Sequence, residues 1–210
     1  MECWIFLMIG IFRGCKKVGW LGGSKDTIIH KNKFFLYLNI FFLNQLNSIV
    51  TYGLSSSEFY KALLKNKKNI FTGINCSDTE FFSKFTTKRS ISFSPQKRIK
   101  SLWVGRLIER KGLINLINNI LEDQELYKKI ELTIVGSGPL EEKIQDLIKD
   151  HKIFLFVGSG DEQFVAKQFQ KCDLFIQSTF YDPYSRVLSE ASSAGLYIIS
   201  SIYDKSVEVL

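Results

Sequence analysis

Residues that build metal centres and disulfide frameworks are scarce in this sequence. It contains four cysteines and two histidines in 210 residues. The cysteines lie far apart and form no CxxC pair; they are Cys3, Cys15, Cys76 and Cys172. Because a structural zinc site needs closely spaced Cys and His ligands, the sequence predicts no metal site. The same cysteine usage favours a reducing, cytoplasmic compartment.

Long hydrophobic runs are absent too. The apolar stretch at residues 4–12 follows an acidic residue, Glu2, and is too short to cross a bilayer, which takes about 20 apolar residues. A second stretch, residues 34–50, is interrupted by Asn and Gln side chains, which favours a packed amphipathic helix. We therefore expect at most peripheral contact with the inner face of a membrane.

The positive net charge of the chain indicates which kinds of partner it could bind. The chain carries a net charge of +7, with 45% hydrophobic and 23% charged residues, which is typical of a globular protein. A basic protein can bind nucleic acid, an anionic membrane surface or a phosphorylated ligand. The lysines are scattered and form no basic helix or aromatic-interleaved platform. We therefore predict no nucleic-acid partner.

The second half of the chain alternates short apolar runs with helical patterns. The runs predict strands at 99–104, 132–135, 153–157, 174–176 and 197–200. Such strands, separated by helices of about ten residues, predict an α/β fold with a doubly wound parallel, Rossmann-like sheet. Sheets of this type bind ligands at the carboxyl ends of their strands.

The first half is less regular. It predicts helices at 33–47 and 55–64, strands at 48–53 and 69–73, and a glycine-rich turn at 19–24. A polar, basic stretch that begins at Thr86 and contains Pro95 is typical of a linker. We therefore predict two domains, residues 1–95 and residues 96–210.

Two cations follow the first strand of the second predicted domain. Arg106 and Lys111 lie in the stretch GRLIERKG, residues 105–112. One cation stands at a strand end and the other at a helix start, so we expect them to converge on one point. Arginine binds phosphate bidentately and lysine adds a mobile point charge, which favours a phosphate site over two solvated surface cations.

Two carboxylates lie in the stretch from Leu174 to Gly195. Asp182 stands at a turn and Glu190 about two helical turns later. The main-chain N–H groups of Ser185 to Leu188 lie between them at a predicted helix N-terminus, where an anion is favoured. This pattern suits a phosphorylated sugar. Taken alone, Asp182 is also typical of a helix cap, and Glu190 of an exposed helix position.

Two glycine turns follow the next strands. Gly136 and Gly138 lie in VGSGP, and Gly158 in VGSG. Glu141 stands where the dinucleotide-binding fingerprint has its third glycine, which disfavours a Rossmann oxidoreductase. We expect Gly136 and Gly138 to let the main chain approach a nucleotide closely, and Gly158 to lie near its base.

Three motifs together carry a resemblance to a known family. GRLIERKG at 105–112, DPYS at 182–185 and EASSAG at 190–195 resemble the G-R-L-x-x-x-K-G and E-P-F-G-x(4)-E-A-x-x-x-G motifs of the retaining GT-B "glycosyl transferases group 1" enzymes. The resemblance implies a GT-B donor-binding domain with a remnant of the N-terminal, acceptor-side domain, truncated at both ends.

The resemblance also implies a reaction. A sugar would pass with retention from a nucleotide-diphosphate sugar to a glycan or lipid-linked acceptor, without metal or cofactor. The catalytic residues implied are Arg106, Lys111 and Asp182. Asp182 would hold sugar hydroxyls, and Glu190 the ribose. The donor-binding residues implied are Gly105, Gly136, Gly138, Gly158, Tyr184, Ser185, Arg186, Val187, Leu188 and Glu190.

The sequence differs from the family motif at two positions, and the resemblance leaves a second function open. Asp182 replaces the family's first glutamate and Ser185 its glycine, changes that would narrow or shift the sugar pocket. From the resemblance we expect the family's early N-terminal domain to have no counterpart in this sequence. The alternative function is therefore a non-catalytic nucleotide-sugar-binding fragment, or one half of a split enzyme whose N-terminal half is encoded separately.

Overall fold

The computed structural model describes residues 9–10, 12–23, 33–64, 69–87 and 97–206. The chain divides into two compact units, Met1–Asn75 and Cys76–Leu210. Each unit has its own parallel sheet. No helix among these residues combines the length and apolar character that a bilayer crossing requires.

The first unit contains a three-stranded parallel sheet in the order β1-β2-β3. Its strands are β1 (Val18–Leu21), β2 (Ser48–Tyr52) and β3 (Asn69–Gly73), and its helices include α1 (Lys33–Asn44) and α2 (Gly53–Leu63). Strand β1 contradicts the turn predicted at 19–24 at residues 19–21, whereas Gly22 and Gly23 lie beyond the strand and residue 24 lies outside the described residues. Gly19 allows this strand because a Cβ there would lie 2.6 Å from Leu46 Cδ1, so Leu46 packs directly on the main chain of β1.

The second unit contains a five-stranded parallel sheet in the order β6-β5-β4-β7-β8. Its strands are β4 (Ile99–Val104), β5 (Ile130–Val135), β6 (Phe154–Phe156), β7 (Leu174–Gln177) and β8 (Tyr197–Ser200). Its helices include α3 (Thr79–Ser83), α4 (Leu113–Glu122), α5 (Gln124–Lys129), α6 (Glu141–Ile148), α7 (Glu162–Lys171) and α8 (Arg186–Ser193). All five predicted strands are present, within two residues at each end.

Helices cover both faces of this sheet, as a doubly wound fold requires. On β4, Trp103 packs in a core with side chains of α4 and α6. Its neighbour Leu102 packs in a second core with side chains of α7 and α8. Because successive strand residues point to opposite faces, these two cores lie on opposite sides of the sheet. The predicted fold class is therefore confirmed.

Helix α3 belongs to the second unit. Phe82 of α3 is buried in the core that contains α7 and α8. The domain boundary placed at 95/96 from the sequence stays a prediction, and helix α5 was missed. Helix α5 begins after Asp123, whose Oδ1 accepts hydrogen bonds from the N–H groups of Glu125 (2.8 Å) and Leu126 (3.1 Å), a helix cap.

Candidate functional site

The turns after β4, β5 and β6 are hydrogen-bonded into one shelf at the carboxyl edge of the sheet. Gly105 N–H donates to Val135 O (3.0 Å), and Gly136 N–H donates to Gly158 O (2.8 Å). Leu107 N–H donates to Ser137 O at 2.9 Å. The predicted glycine turns are thus adjacent in space.

At positions 136 and 138 only glycine fits, because the neighbouring turns lie too close to leave room for a Cβ atom. A Cβ on Gly136 would collide with the carbonyl oxygen of Gly105, and one on Gly138 would lie 2.6 Å from the carbonyl oxygen of Leu107. A real Cβ almost never approaches another heavy atom so closely. The two glycines therefore let one turn pack directly on its neighbour.

The shelf bounds a cleft of about 440 Å³. Its lining residues are Val104, Gly105, Arg106, Val135, Gly136, Ser137, Gly138, Ser159, Gly160 and Val165. The volume lies within the range of about 300–1,000 Å³ that small-molecule sites occupy. Main-chain groups and small side chains dominate the lining, and Arg106 carries the one charged side chain among these described residues.

A second part of the edge joins the 3-10 turn Glu109–Lys111 to the loop after β7. The main-chain oxygen of Arg110 accepts hydrogen bonds from Phe180 N–H (2.9 Å) and Thr179 Oγ1–H (3.0 Å). The main-chain oxygen of Lys111 accepts one from Ser178 Oγ–H (3.1 Å). These bonds fix the distance between the loop that carries Lys111 and the loop that carries Asp182.

The close approach of the turn at Glu109–Lys111 to the loop after β7 depends on Gly112. Gly112 has φ +67°, and a Cβ there would collide with the carbonyl oxygen of Ser178. We expect Gly112→Ala to lower the free energy of unfolding by about 3 kcal/mol, because backbone strain and overpacking add. Urea denaturation measures the loss.

Gly158→Ala is the matched control. Gly158 has φ +73°, but no heavy atom lies within 4 Å of the position that a Cβ would take there. This variant should lose only the backbone contribution, about 1 kcal/mol. Equal losses in the two variants would show that the packing of Gly112 on Ser178 contributes nothing.

Asp182 and Lys111, both predicted as site residues, form an ion pair. Lys111 Nζ lies 2.5 Å from Asp182 Oδ2, and their side chains are only 12% and 7% exposed. Asp182 Oδ1 accepts a hydrogen bond from Tyr184 N–H at 3.2 Å. The helix-cap interpretation of Asp182 is wrong, because Ser185 is the N-cap residue of α8.

Arg110 is a third member of this cluster that the sequence motifs did not identify. Its Nη1 lies 3.6 Å from Asp182 Oδ2 and donates to Tyr181 O at 2.6 Å, while its side chain stays 43% exposed. The signal available was its place beside Lys111. Two cations thus lie within 4 Å of the Asp182 carboxylate.

The main chain of Asp182 is bound to the loop after β8. Asp182 N–H donates to Tyr203 O (3.2 Å), and Lys205 N–H donates to Asp182 O (3.0 Å). The two bonds form a parallel β-bridge between Asp182 and Asp204. Asp204 is fully buried, and burial raises the pKa of its carboxyl, opposed by hydrogen bonds from Ser206.

Ser185, one of the two departures from the family motif, directs its side chain into a buried network. Its Oγ accepts a hydrogen bond from Gln177 Nε2 at 2.9 Å, and the same Nε2 lies 3.4 Å from Asp204 Oδ2. Gln177 and Asp204 were not predicted, because their contacts come from the packing of β7 against the loop after β8. No motif or spacing encodes such contacts.

Helix α8 begins at Arg186, whose side chain is exposed, whereas Leu188 is fully buried in the core. Leu188 N–H donates to Ser185 O at 3.2 Å, so this amide is used within the first turn. Tyr184 is buried and Val187 is half-buried. At this helix start the side chains of Tyr184, Ser185 and Leu188 are therefore buried, and the Leu188 amide is bonded within the helix.

Glu190 lies further along α8 and is half-buried. Its Oε1 accepts a hydrogen bond from Ser77 Oγ–H at 3.0 Å. Burial raises the pKa of the Glu190 carboxyl, while the Ser77 hydrogen bond and the Arg186 charge oppose the change. Ser77 was not predicted, since it lies more than a hundred residues away in the sequence.

Comparisons with known proteins agree with this architecture. The family model "Glycosyl transferases group 1" matches residues 84–210. An uncharacterized glycosyltransferase of Methanocaldococcus jannaschii is 27% identical over 151 residues, which are 68% of this chain and 38% of that relative. A glycogen synthase of Mycobacterium tuberculosis is 27% identical over 103 residues, 48% of this chain and 25% of the synthase. The chain thus spans less than half the length of either relative.

Solved structures show the same fold. HepE of Anabaena in complex with UDP has a TM-score of 0.77 at 14% identity, covering 99% of this chain and 59% of HepE. Sucrose-phosphate synthase of Thermosynechococcus elongatus has a TM-score of 0.75 at 15% identity, covering 96% of this chain and 54% of the synthase. Both parallel sheets therefore match the GT-B architecture. Since the family model covers more than half of the sequence, this chain belongs to the glycosyl transferases group 1 family.

Proposed function

We propose that this protein binds a nucleotide-diphosphate sugar and transfers the sugar, with retention, to a glycan or lipid-linked acceptor. The observation that carries the proposal is the cluster of Arg110 and Lys111 around Asp182, at the same sheet edge as the cleft lined by Arg106. Family membership supports sugar transfer. HepE, which shares the fold, was crystallised with UDP and with UDP-glucose, which supports a nucleotide-sugar donor.

The proposed chemistry follows from the charges at this edge. When the bond between the anomeric carbon and the diphosphate oxygen breaks, negative charge grows on the diphosphate. Arg106, Lys111 and the amides at the start of α8 would stabilise that charge, and preorganised electrostatics of this kind dominate many enzymes. Lys111 would share its charge between Asp182 and the diphosphate.

We also propose that these cations replace a metal ion and that no cofactor takes part. Among the described residues, no group of three His, Cys, Asp or Glu side chains is placed to hold a metal. Asp182 would accept hydrogen bonds from the hydroxyls of the transferred sugar, and Glu190 from the ribose. The proposed retention of stereochemistry rests on the resemblance to the retaining enzymes of the family. The proposed location is the cytoplasm, with at most peripheral contact with the inner face of a membrane.

Nucleotide binding tests the proposal directly. We expect UDP, GDP or ADP to raise the melting temperature of the chain and to bind more weakly as salt increases, because the contacts are charged. Arg106→Gln should weaken this binding about tenfold, the effect of one charged hydrogen bond. Titration calorimetry at two salt concentrations measures both effects.

Arg98→Gln is the matched control, because Arg98 is exposed and does not line the cleft. Absence of heat with all three nucleotides would refute the donor site. For an active preparation, the anomeric configuration of the product by NMR tests retention. Activity that survives chelation by EDTA tests metal independence.

The second candidate is nucleotide-sugar binding without transfer by this chain alone, including as one half of a split enzyme. It is favoured by the placement of every proposed donor contact in one unit, Cys76–Leu210. Positioning of two reactants can contribute about 7–11 kcal/mol to a rate, so a chain without an acceptor site would bind the donor and transfer slowly. Turnover at an ordinary enzyme rate would exclude this candidate.

A further inference from the structure

Asp204 is a buried acid to which the proposed reaction assigns no role. The residue is fully buried, and polar groups surround its carboxylate. Oδ1 accepts hydrogen bonds from Ser206 N–H (3.0 Å) and Ser206 Oγ–H (2.5 Å), and Oδ2 faces Gln177 Nε2 at 3.4 Å. Burying a carboxyl group has a cost in folding free energy, so its position calls for a physical reason.

Asp204 is connected to both ends of the segment from Asp182 to Ser185. At one end, its neighbours Tyr203 and Lys205 bond the main chain of Asp182 on both sides. At the other end, Gln177 Nε2 bridges Asp204 Oδ2 and Ser185 Oγ. The carboxyl thus lies where one side chain can fix both the sugar-site carboxylate and the start of α8.

We propose that Asp204 is a positioning residue that holds Asp182 and Ser185 in the geometry that binds the donor sugar. Its side chain anchors the loop after β8 through Ser206, and that loop carries the bridge to Asp182. The ligand part of this inference rests on the proposed function, whereas the geometric part concerns the protein without ligand.

The side-chain oxygen of Gln177 makes Asp204→Asn a useful variant, one that we expect to keep the contacts that Asp204→Ala loses. Within the described part of the chain, Gln177 Oε1 is buried and has no hydrogen-bond partner. Asn has the shape of Asp, and its Oδ1 can still accept from Ser206. Its new Nδ2–H group needs an acceptor, which Gln177 Oε1 supplies after rotation of the amide, and the Ser185 hydroxyl then donates to this same oxygen. Asp204→Asn should therefore preserve the network that Asp204→Ala removes.

The first measurement needs no ligand. We expect Asp204→Ala to shift the NMR amide signals of Tyr184 and Lys205 and to speed their hydrogen exchange, because both amides bond to Asp182. Asp204→Asn should leave these signals near those of the parent. Ser101→Ala is the control, since Ser101 is equally buried and its Oγ–H donates within β4, to Ile99 O.

The second measurement is the affinity for UDP-glucose and UDP, at a temperature where every variant is folded. We expect Asp204→Ala to weaken UDP-glucose about tenfold and UDP by less, because Arg106 and the glycine shelf do not depend on this network. Asp204→Asn should bind within about threefold of the parent. If Asp204→Ala does not fold, Gln177→Met cuts the same link to Ser185 and should give the same order of losses.

The outcomes separate the inference from the proposed function. If Asp204→Ala loses stability but keeps both affinities and both amide signals, as Ser101→Ala should, Asp204 is structural only and the inference is overturned. Equal weakening by the Asn and Ala variants would overturn it as well. If the parent binds neither ligand, the proposed function fails, and the amide signals still decide whether Asp204 positions Asp182.

Discussion

Lys111→Met is expected to lower the free energy of unfolding by about 3 kcal/mol, because it leaves the buried Asp182 carboxylate without its closest partner. Asp182 is 7% exposed, and the remaining cation, Arg110, is 3.6 Å away and 43% exposed. Because Arg110 is partly exposed to solvent, it compensates only part of the stabilisation of Asp182 that Lys111 provided. Urea denaturation with an unchanged slope measures the effect.

The double variant Lys111→Met with Asp182→Asn tests this explanation. With the charge of Asp182 removed, the methionine stem packs beside a neutral amide, and we expect most of the lost stability to return. Lys128→Met serves as the control, because its pairing with Glu125 is solvent-exposed and should leave the midpoint unchanged. Additive losses in the double variant would show that Lys111 stabilises the fold by packing and not by neutralising Asp182.

The periodicity of the second unit was sufficient to predict its sheet. Its strands coincide with the short, mainly apolar runs of the sequence, and β4 occupies the predicted residues 99–104. Strand β1 escaped prediction because it is short and partly exposed and is defined by its pairing with β2. Gly19, Gly22 and Gly23 are typical of a turn in isolation, whereas in the structure residues 18–21 pair with β2 and Leu46 packs on Gly19.

The same distinction holds at the site. Motif spacing identified Lys111 and Asp182 separately, and the structure brings them together as an ion pair. Ser77 and Asp204 are defined by contacts across loops distant in sequence, which no local pattern encodes, whereas the only sequence signal for Arg110 was its place beside Lys111. Sequence therefore predicts which elements carry a site more readily than how the charges within it are compensated.

Asp182 and Glu190 should respond differently when each loses its charge, because Asp182 is paired with Lys111 and Glu190 is not. Glu190→Gln should weaken both UDP and UDP-glucose about tenfold, because Glu190 is proposed to hold the ribose that both ligands share. Asp182→Asn should weaken UDP-glucose by a similar factor and leave UDP equally or more tightly bound. The reason is that Lys111, released from Asp182, becomes fully available to the diphosphate.

Stability provides the internal check on Glu190. Burial raises its pKa above the ordinary value of 4.5, so the folded state favours the neutral form. The parent is therefore stabilised by this group at low pH and loses that stabilisation as pH rises through the raised pKa. Glu190→Gln, which stays neutral, should melt higher than the parent at pH 7, and the difference should vanish below about pH 4.5, where the parent carboxyl is protonated too. If Glu190→Gln is more stable than the parent at pH 7 but binds UDP more weakly, then the charge of Glu190 destabilises the fold and serves to bind the ligand. Unchanged UDP binding in the stabilised variant would instead remove Glu190 from the donor site.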